Sequence, residues 1–234
     1  MYDNTCKYLV EQFSHDFATW LLNKPISLST LEASELTAEP IRADSVIFLQ
    51  SESEILHLEF QTRPDATIPF RMLNYWSRLY RKYPNKTIRQ IVIYLCETKS
   101  SLVQQTQFQE QNTSHSFQVV RLWEQPTLPF QKTLGLLPLA ILTNTNNPTA
   151  TLRNVAQTIS SIEDRNLKSS LSIHTYILAG LRLRGNIIKE ILRSDIMEES
   201  STYRFLRRQA MEEGLAEGRR QGLTEGIAQG IAEG

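Results

Sequence analysis

Residues 55–61, Ile55-Leu56-His57-Leu58-Glu59-Phe60-Gln61, alternate in polarity. Leu56, Leu58 and Phe60 fall on one side of an extended chain and His57, Glu59 and Gln61 on the other, which predicts a strand with one apolar and one polar face. The run before it, residues 42–50, is rich in Val, Ile and Phe, and the polar link Ser51-Glu52-Ser53 separates the two. Together they predict a β-hairpin. Asp44 stands where the chain enters the first of these strands, so the hairpin would bring its carboxylate near Glu59. Two carboxylates on adjacent strands make an oxygen-rich site of the kind that holds Mg2+ or Mn2+, orients a water and neutralises charge developing on a phosphate.

Outward from the hairpin the periodicity changes. Residues 2–22 place Tyr8, Leu9, Phe13, Phe17, Trp20 and Leu21 near one side at helical spacing, a helix that ends before Pro25. After the hairpin, Pro69 suits a first helical turn, Met72, Trp76, Leu79 and Tyr83 recur on one face, and Pro84 stops the segment. Residues 88–95 then form a continuous apolar run that reads as a buried strand. A Gln- and Ser-rich link over residues 100–116 precedes another strand candidate at 117–123, and helical spacing returns over 151–192, with Ile159, Ile162, Leu171, Tyr176, Ile177 and Leu181 inward. From Gly214 a glycine recurs at every fourth residue to Gly234. The expected organisation is an α/β core in residues 1–125, a helical extension in 126–210 and a low-complexity tail in 211–234. The tail's glycines weaken a lone helix but would permit close approach of a second one, so either self-association into a homo-oligomer through the tail or disorder of the tail is expected.

A chain of 234 residues with 41% hydrophobic content can bury one substantial core. No apolar run approaches the roughly 20 residues needed to cross a bilayer, and the N-terminus lacks a basic region followed by an apolar one, which predicts a cytoplasmic protein with no membrane partner. Cys6 and Cys96 are the two cysteines, too few for a disulfide framework or a zinc ribbon, and both read as buried thiols. His15, His115 and His174 show no ligand spacing, and His57 reads as a partly exposed, hydrogen-bonded residue. Net charge is zero, yet residues 63–89 carry Arg63, Arg71, Arg78, Arg81, Lys82, Lys86 and Arg89 against the single acid Asp65. Arg71, Arg78 and Lys82, interleaved with Tyr75 and Tyr80, would grip backbone phosphates while a base packs on a ring. A solvated helix face is the equally weighted alternative.

The order of these elements, a helix, Asp44 on a strand, Glu59-Phe60-Gln61 on the next, an amphipathic helix and a further strand, resembles the restriction-endonuclease-like αβββαβ core of PD-(D/E)XK nucleases. The wording Arg42-Ala43-Asp44-Ser45, then Leu58-Glu59-Phe60-Gln61-Thr62, then Arg71-Met72 and Tyr75, is similar more narrowly to the bacterial recombination-promoting nuclease and transposase-like group. The glycine tail is similar to that group as well. The resemblance implies metal-dependent cleavage of DNA, with Asp44, Glu59 and Gln61 as the catalytic set, Asp44 and Glu59 as ligands of Mg2+ or Mn2+, the Phe60 carbonyl as a further ligand, and DNA as partner. Gln61 stands where the broader family has lysine. A neutral amide positions but cannot offer positive charge, so either cleavage would be slower or Arg63, Arg71 or Lys99 would supply the charge. The acid that the first helix contributes in this fold would be Glu11 or Asp16. A non-catalytic nucleic-acid-binding module and an assembly protein driven by the tail are the competing classes.

Overall fold

Phe13 divides the helix expected over residues 2–22. α1 spans Tyr2–Gln12 and α2 spans Ser14–Leu22, with Phe13 at φ −125°, ψ 39° between them and Asn23 ending α2 in the left-handed region at φ 54°. The computed structural model describes residues 2–23, 28–31 and 46–192. Asp44, with the rest of residues 42–45, and the glycine-repeat tail lie outside them.

The next elements are β1 (Ser29–Leu31), β2 (Val46–Gln50), β3 (Glu54–Gln61), α3 (Ile68–Lys82) and β4 (Thr87–Tyr94). A two-stranded hairpin follows, β5 (Gln107–Glu110) and β6 (Thr113–Ser116), and then β7 (Gln118–Arg121). The main sheet runs β1-β2-β3-β4-β7. Its β1/β2 and β2/β3 pairs are antiparallel, whereas β3/β4 and β4/β7 are parallel, so the fold is mixed α/β with β3 in the middle of the sheet. The parallel β3/β4 pair follows from α3, because a return to the same end of the sheet needs a crossover of this length.

Residues 100–116 are not a plain link. They hold a 3-10 turn, Ser101–Gln104, and the β5–β6 hairpin, which turns through Gln111 at φ 46°. The hairpin is polar, which hides it from an apolar-pattern reading. Two side chains tether it to α3: the Phe108 ring lies 5.7 Å from Phe70, and the His115 ring 5.4 Å from Trp76.

Beyond the sheet come α4 (Thr127–Lys132), a 3-10 segment Leu134–Leu142, α5 (Pro148–Ser160), α6 (Arg165–Ala179) and α7 (Gly185–Ile191). The apolar 3-10 segment is buried from Gly135 through Leu142. These elements share one core with α1, α2 and one sheet face, where Leu56, Leu58 and Phe60 meet Leu9, Phe17 and Phe130. Arg182 ties the region together by donating to the carbonyls of Ile141 (2.9 Å), Thr143 (2.6 Å) and Thr145 (3.1 Å). The opposite face of the sheet lies beneath α3, through Phe48, Ile55 and Val92 against Met72, Tyr75 and Leu79. β3 is therefore covered on both sides, and His57, expected to be partly exposed, is 0% exposed. Among the described residues no helix is long and apolar enough to cross a membrane. Cys6 is buried and Cys96 half-buried, and both are free thiols.

Two stability predictions arise from this packing. A Cβ at Gly135 would collide with Phe13 Cβ and Cγ and with Asp16 Oδ2, the last being the acceptor of the Gly135 amide at 2.8 Å. Gly135→Ala should therefore cost about 1–3 kcal/mol or more in urea unfolding; an unchanged midpoint would mean that α2 moves aside freely. The second concerns His174, which is buried, stacks on Tyr8 at 4.3 Å and leaves Nε2 without a partner. Burial lowers its pKa from 6.5 to about 4. The folded protein thus keeps this ring neutral while the unfolded chain takes up a proton, so its contribution is complete above pH 6.5 and is lost as pH falls from 6.5 toward 4. His174→Phe should reduce the stability lost between pH 7 and pH 5 by about 1–2 kcal/mol. Parallel acid limbs for the two proteins would contradict this.

Candidate functional site

Glu59 is fixed by its place in the sheet: Val46 of β2 flanks it on one side and Val92 of β4 on the other. Its side chain points toward α3 and is 0% exposed. Two residues on, at the end of the strand, Gln61 Nε2 donates to Glu59 Oε1 at 2.9 Å. The alternation of β3 thus brings the two polar side chains together.

The turn into α3 supplies the rest. Asp65 Oδ1 accepts from the Thr67 amide at 2.8 Å and from the Thr67 hydroxyl at 2.7 Å, fixing the chain just ahead of the helix. Pro69 occupies the first turn, as its missing N–H allows. Arg71, one turn in, then reaches back toward the sheet. One guanidinium nitrogen donates to Glu59 Oε1 and the other to Asp65 Oδ2 at 3.1 Å. Gln61, Thr62, Asp65, Arg71, Tyr75 and Asp3 line a cleft of about 170 Å3.

The electrostatics follow from this bridge. Burial pushes the Glu59 carboxyl above its ordinary value, against the pull of Arg71 and Gln61. Burial also opposes the charge on Arg71, but the carboxylates of Glu59 and Asp65 outweigh it and hold the guanidinium protonated. At Asp65 the Thr67 hydrogen bonds and Arg71 outweigh slight burial and lower the carboxyl. Two atoms remain buried without a partner, Glu59 Oε2 and Arg71 Nε. A buried carboxyl oxygen without a donor is costly, and it suits a hard cation that takes oxygen ligands. Among the described residues no three His, Cys, Asp or Glu side chains gather as a metal-binding group.

Behind the site a second polar network crosses from sheet to helix to hairpin. Gln90 Nε2 donates to His57 Nδ1 (2.8 Å) and to the Met72 carbonyl (2.9 Å), while its Oε1 accepts from His115 Nε2 (2.6 Å). His57, packed against Phe48 and Tyr75, is held neutral by burial, Arg71 and His115, its pKa lowered to about 3. It braces the site rather than titrating in it.

Glu59 and Gln61 lie side by side, and Asp44, the other expected carboxylate, lies outside the described residues. Of the three basic residues grouped as a phosphate grip, Arg71 turns inward to Glu59 and Asp65, whereas Lys82 is exposed with its ammonium 5.4 Å from the Tyr83 ring. Arg78 is half-buried on α3. Tyr75, grouped with them as a stacking ring, is buried against His57 instead, and Trp76, expected inward, stacks on the exposed Tyr80 at 5.0 Å. Neither acid expected from the first helix reaches the cleft: Asp16 accepts from the Gly135 amide, and Glu11 sits 3.9 Å from Lys7. Asp3 of α1 lines the cleft instead. Asp65 was legible as a helix-start residue two positions before Thr67 and four before Pro69; nothing in the pattern of α1 marks Asp3. Comparison of the chain with protein-family models, with curated proteins and with solved structures finds no match.

Proposed function

We propose that the chain is a metal-dependent DNA endonuclease of the recombination-promoting, transposase-like kind, with a restriction-endonuclease-like αβββαβ core. The observation that carries the reading is the unsatisfied, buried Glu59 Oε2 beside Gln61, on the central strand and behind an open cleft that Arg71 and Asp65 line. The succession of α1/α2, three strands, α3 and a parallel β4 supports it. In this reading Glu59 and Asp44 would hold Mg2+ or Mn2+, which when bound would supply Lewis-acid stabilisation and a more acidic water. Gln61 orients the Glu59 carboxylate through Oε1 and leaves Oε2 for the cation. Tyr75 and His57 keep α3 at a fixed distance from the sheet, so that Arg71 stays at the cleft.

A non-catalytic nucleic-acid-binding role is the second reading, favoured by one observation: Arg71 already neutralises Glu59, while Phe70 (57%) and Tyr80 (49%) stand exposed on a helix with basic residues in its last turn. Incubation of the full-length chain with plasmid and linear DNA in Mg2+, Mn2+ or chelator separates the two. Cation-dependent nicking or cleavage is expected. Binding that persists in chelator without any strand scission would favour the second reading.

A further inference from the structure

Gln61 leaves the site without the positive charge that phosphodiester cleavage draws on. Of Arg63, Arg71 and Lys99, Arg71 lines the cleft, whereas Arg63 and Lys99 are exposed and do not. Building on the endonuclease reading, the geometry points to Arg71 as the residue that binds the scissile phosphate and to Asp65 as the positioning residue that holds it there.

Arg71 is a fork whose two terminal nitrogens rest on different carboxylates, Glu59 on the sheet and Asp65 on the turn. When a cation engages Glu59, the Asp65 contact remains and keeps the guanidinium at the cleft wall. Asp65 can do this because it is itself fixed by two hydrogen bonds from Thr67 at the start of α3. Each terminal nitrogen carries a second N–H beyond the one given to its carboxylate, and the side chain lines the cleft at 21% exposure, so the fork keeps donors to offer a phosphate there. The cleft, about 170 Å3, exceeds by about tenfold or more the roughly 10–15 Å3 that one water needs, and so admits a phosphate group with its attacking water. An arginine's planar donors match phosphate oxygens better than a lysine's single ammonium does.

The test is binding of a short labelled DNA duplex by the full-length chain, followed by anisotropy across a salt series in Mn2+ and in chelator, together with the thermal shift that Mn2+ alone produces. Arg71→Gln should lower Mn2+-dependent DNA affinity by about tenfold and reduce the salt slope by about one. Its Mn2+-induced shift should equal or exceed that of the wild type, because a like charge beside the cation has gone. Asp65→Asn, on a partly exposed turn, should weaken DNA binding in the same sense, and Arg71→Lys should restore the salt slope without restoring full affinity. These two variants decide the matter if Arg71→Gln fails to fold. Unchanged affinity and salt slope in the folded variants would overturn the proposal while leaving the endonuclease reading intact. A smaller Mn2+ shift in Arg71→Gln would also overturn it, marking Arg71 as a support for Glu59 alone. A wild-type chain that shows neither a Mn2+ shift nor DNA binding would remove both.

Discussion

Arg71→Ala is expected to lower the stability of the metal-free protein by about 3–5 kcal/mol, the cost of leaving one member of a buried pair uncompensated. Glu59 is 0% exposed and already has one oxygen without a partner, so removal of the guanidinium leaves a buried carboxylate with Gln61 alone. An exposed pair would give at most about 1 kcal/mol. Arg71 itself is 21% exposed, which favours the lower end of the range. Removing both charges together should recover much of the loss, because apolar or neutral groups of similar shape replace buried ion pairs at little cost. The double variant Glu59→Gln/Arg71→Met should therefore be more stable than Arg71→Met alone, with a coupling of about 1–3 kcal/mol in the double-mutant cycle of these two substitutions by urea unfolding. A loss below about 1 kcal/mol for Arg71→Ala would show that water reaches Glu59 freely.

Asp44→Asn and Glu59→Gln should each reduce cation-dependent plasmid cleavage by about a thousandfold or more, since a metal's stabilisation of developing charge amounts to several kcal/mol. The substitutions keep shape and remove charge. Because both carboxylates would act through one ion, the double variant should be scarcely slower than either single one, as for residues that work as a unit. Initial rates of supercoiled-plasmid nicking measure this. Losses that multiply, or single variants that cut at the wild-type rate, would mean that Asp44 and Glu59 do not share a cation.

The parts of the fold that were legible are those in which local pattern and tertiary environment agree. β2 and β3 were visible from their β-rich composition and the Ser-Glu-Ser link, α3 from its apolar spacing between Pro69 and Pro84, and β4 from an unbroken apolar run. Where packing overrode pattern, the reading failed. The helical spacing of residues 2–22 does not reveal that the chain bends at Phe13, which packs beside Gly135 far along the sequence. The β5–β6 hairpin carries little apolar signal, since Phe108 and His115 are the side chains that meet rings on α3. The site shows the same division. Glu59 and Gln61 share a strand face, a local property. Arg71 reaching Glu59, and Asp3 reaching the cleft, depend on how α3 and α1 lie against the sheet, which no spacing within either helix encodes. His57 was misjudged for a related reason: alternation separates two faces of a strand but does not say that a helix covers the polar one.

The central claim, that Glu59 anchors a cation on the central strand, is tested most directly by calorimetric titration of Mn2+ into the full-length wild-type chain and into Glu59→Gln. The wild type should bind Mn2+ with a saturable signal, and Glu59→Gln, folded to the same far-ultraviolet spectrum, should show none. Equal Mn2+ binding by the two proteins, or no binding by the wild type, would contradict the account.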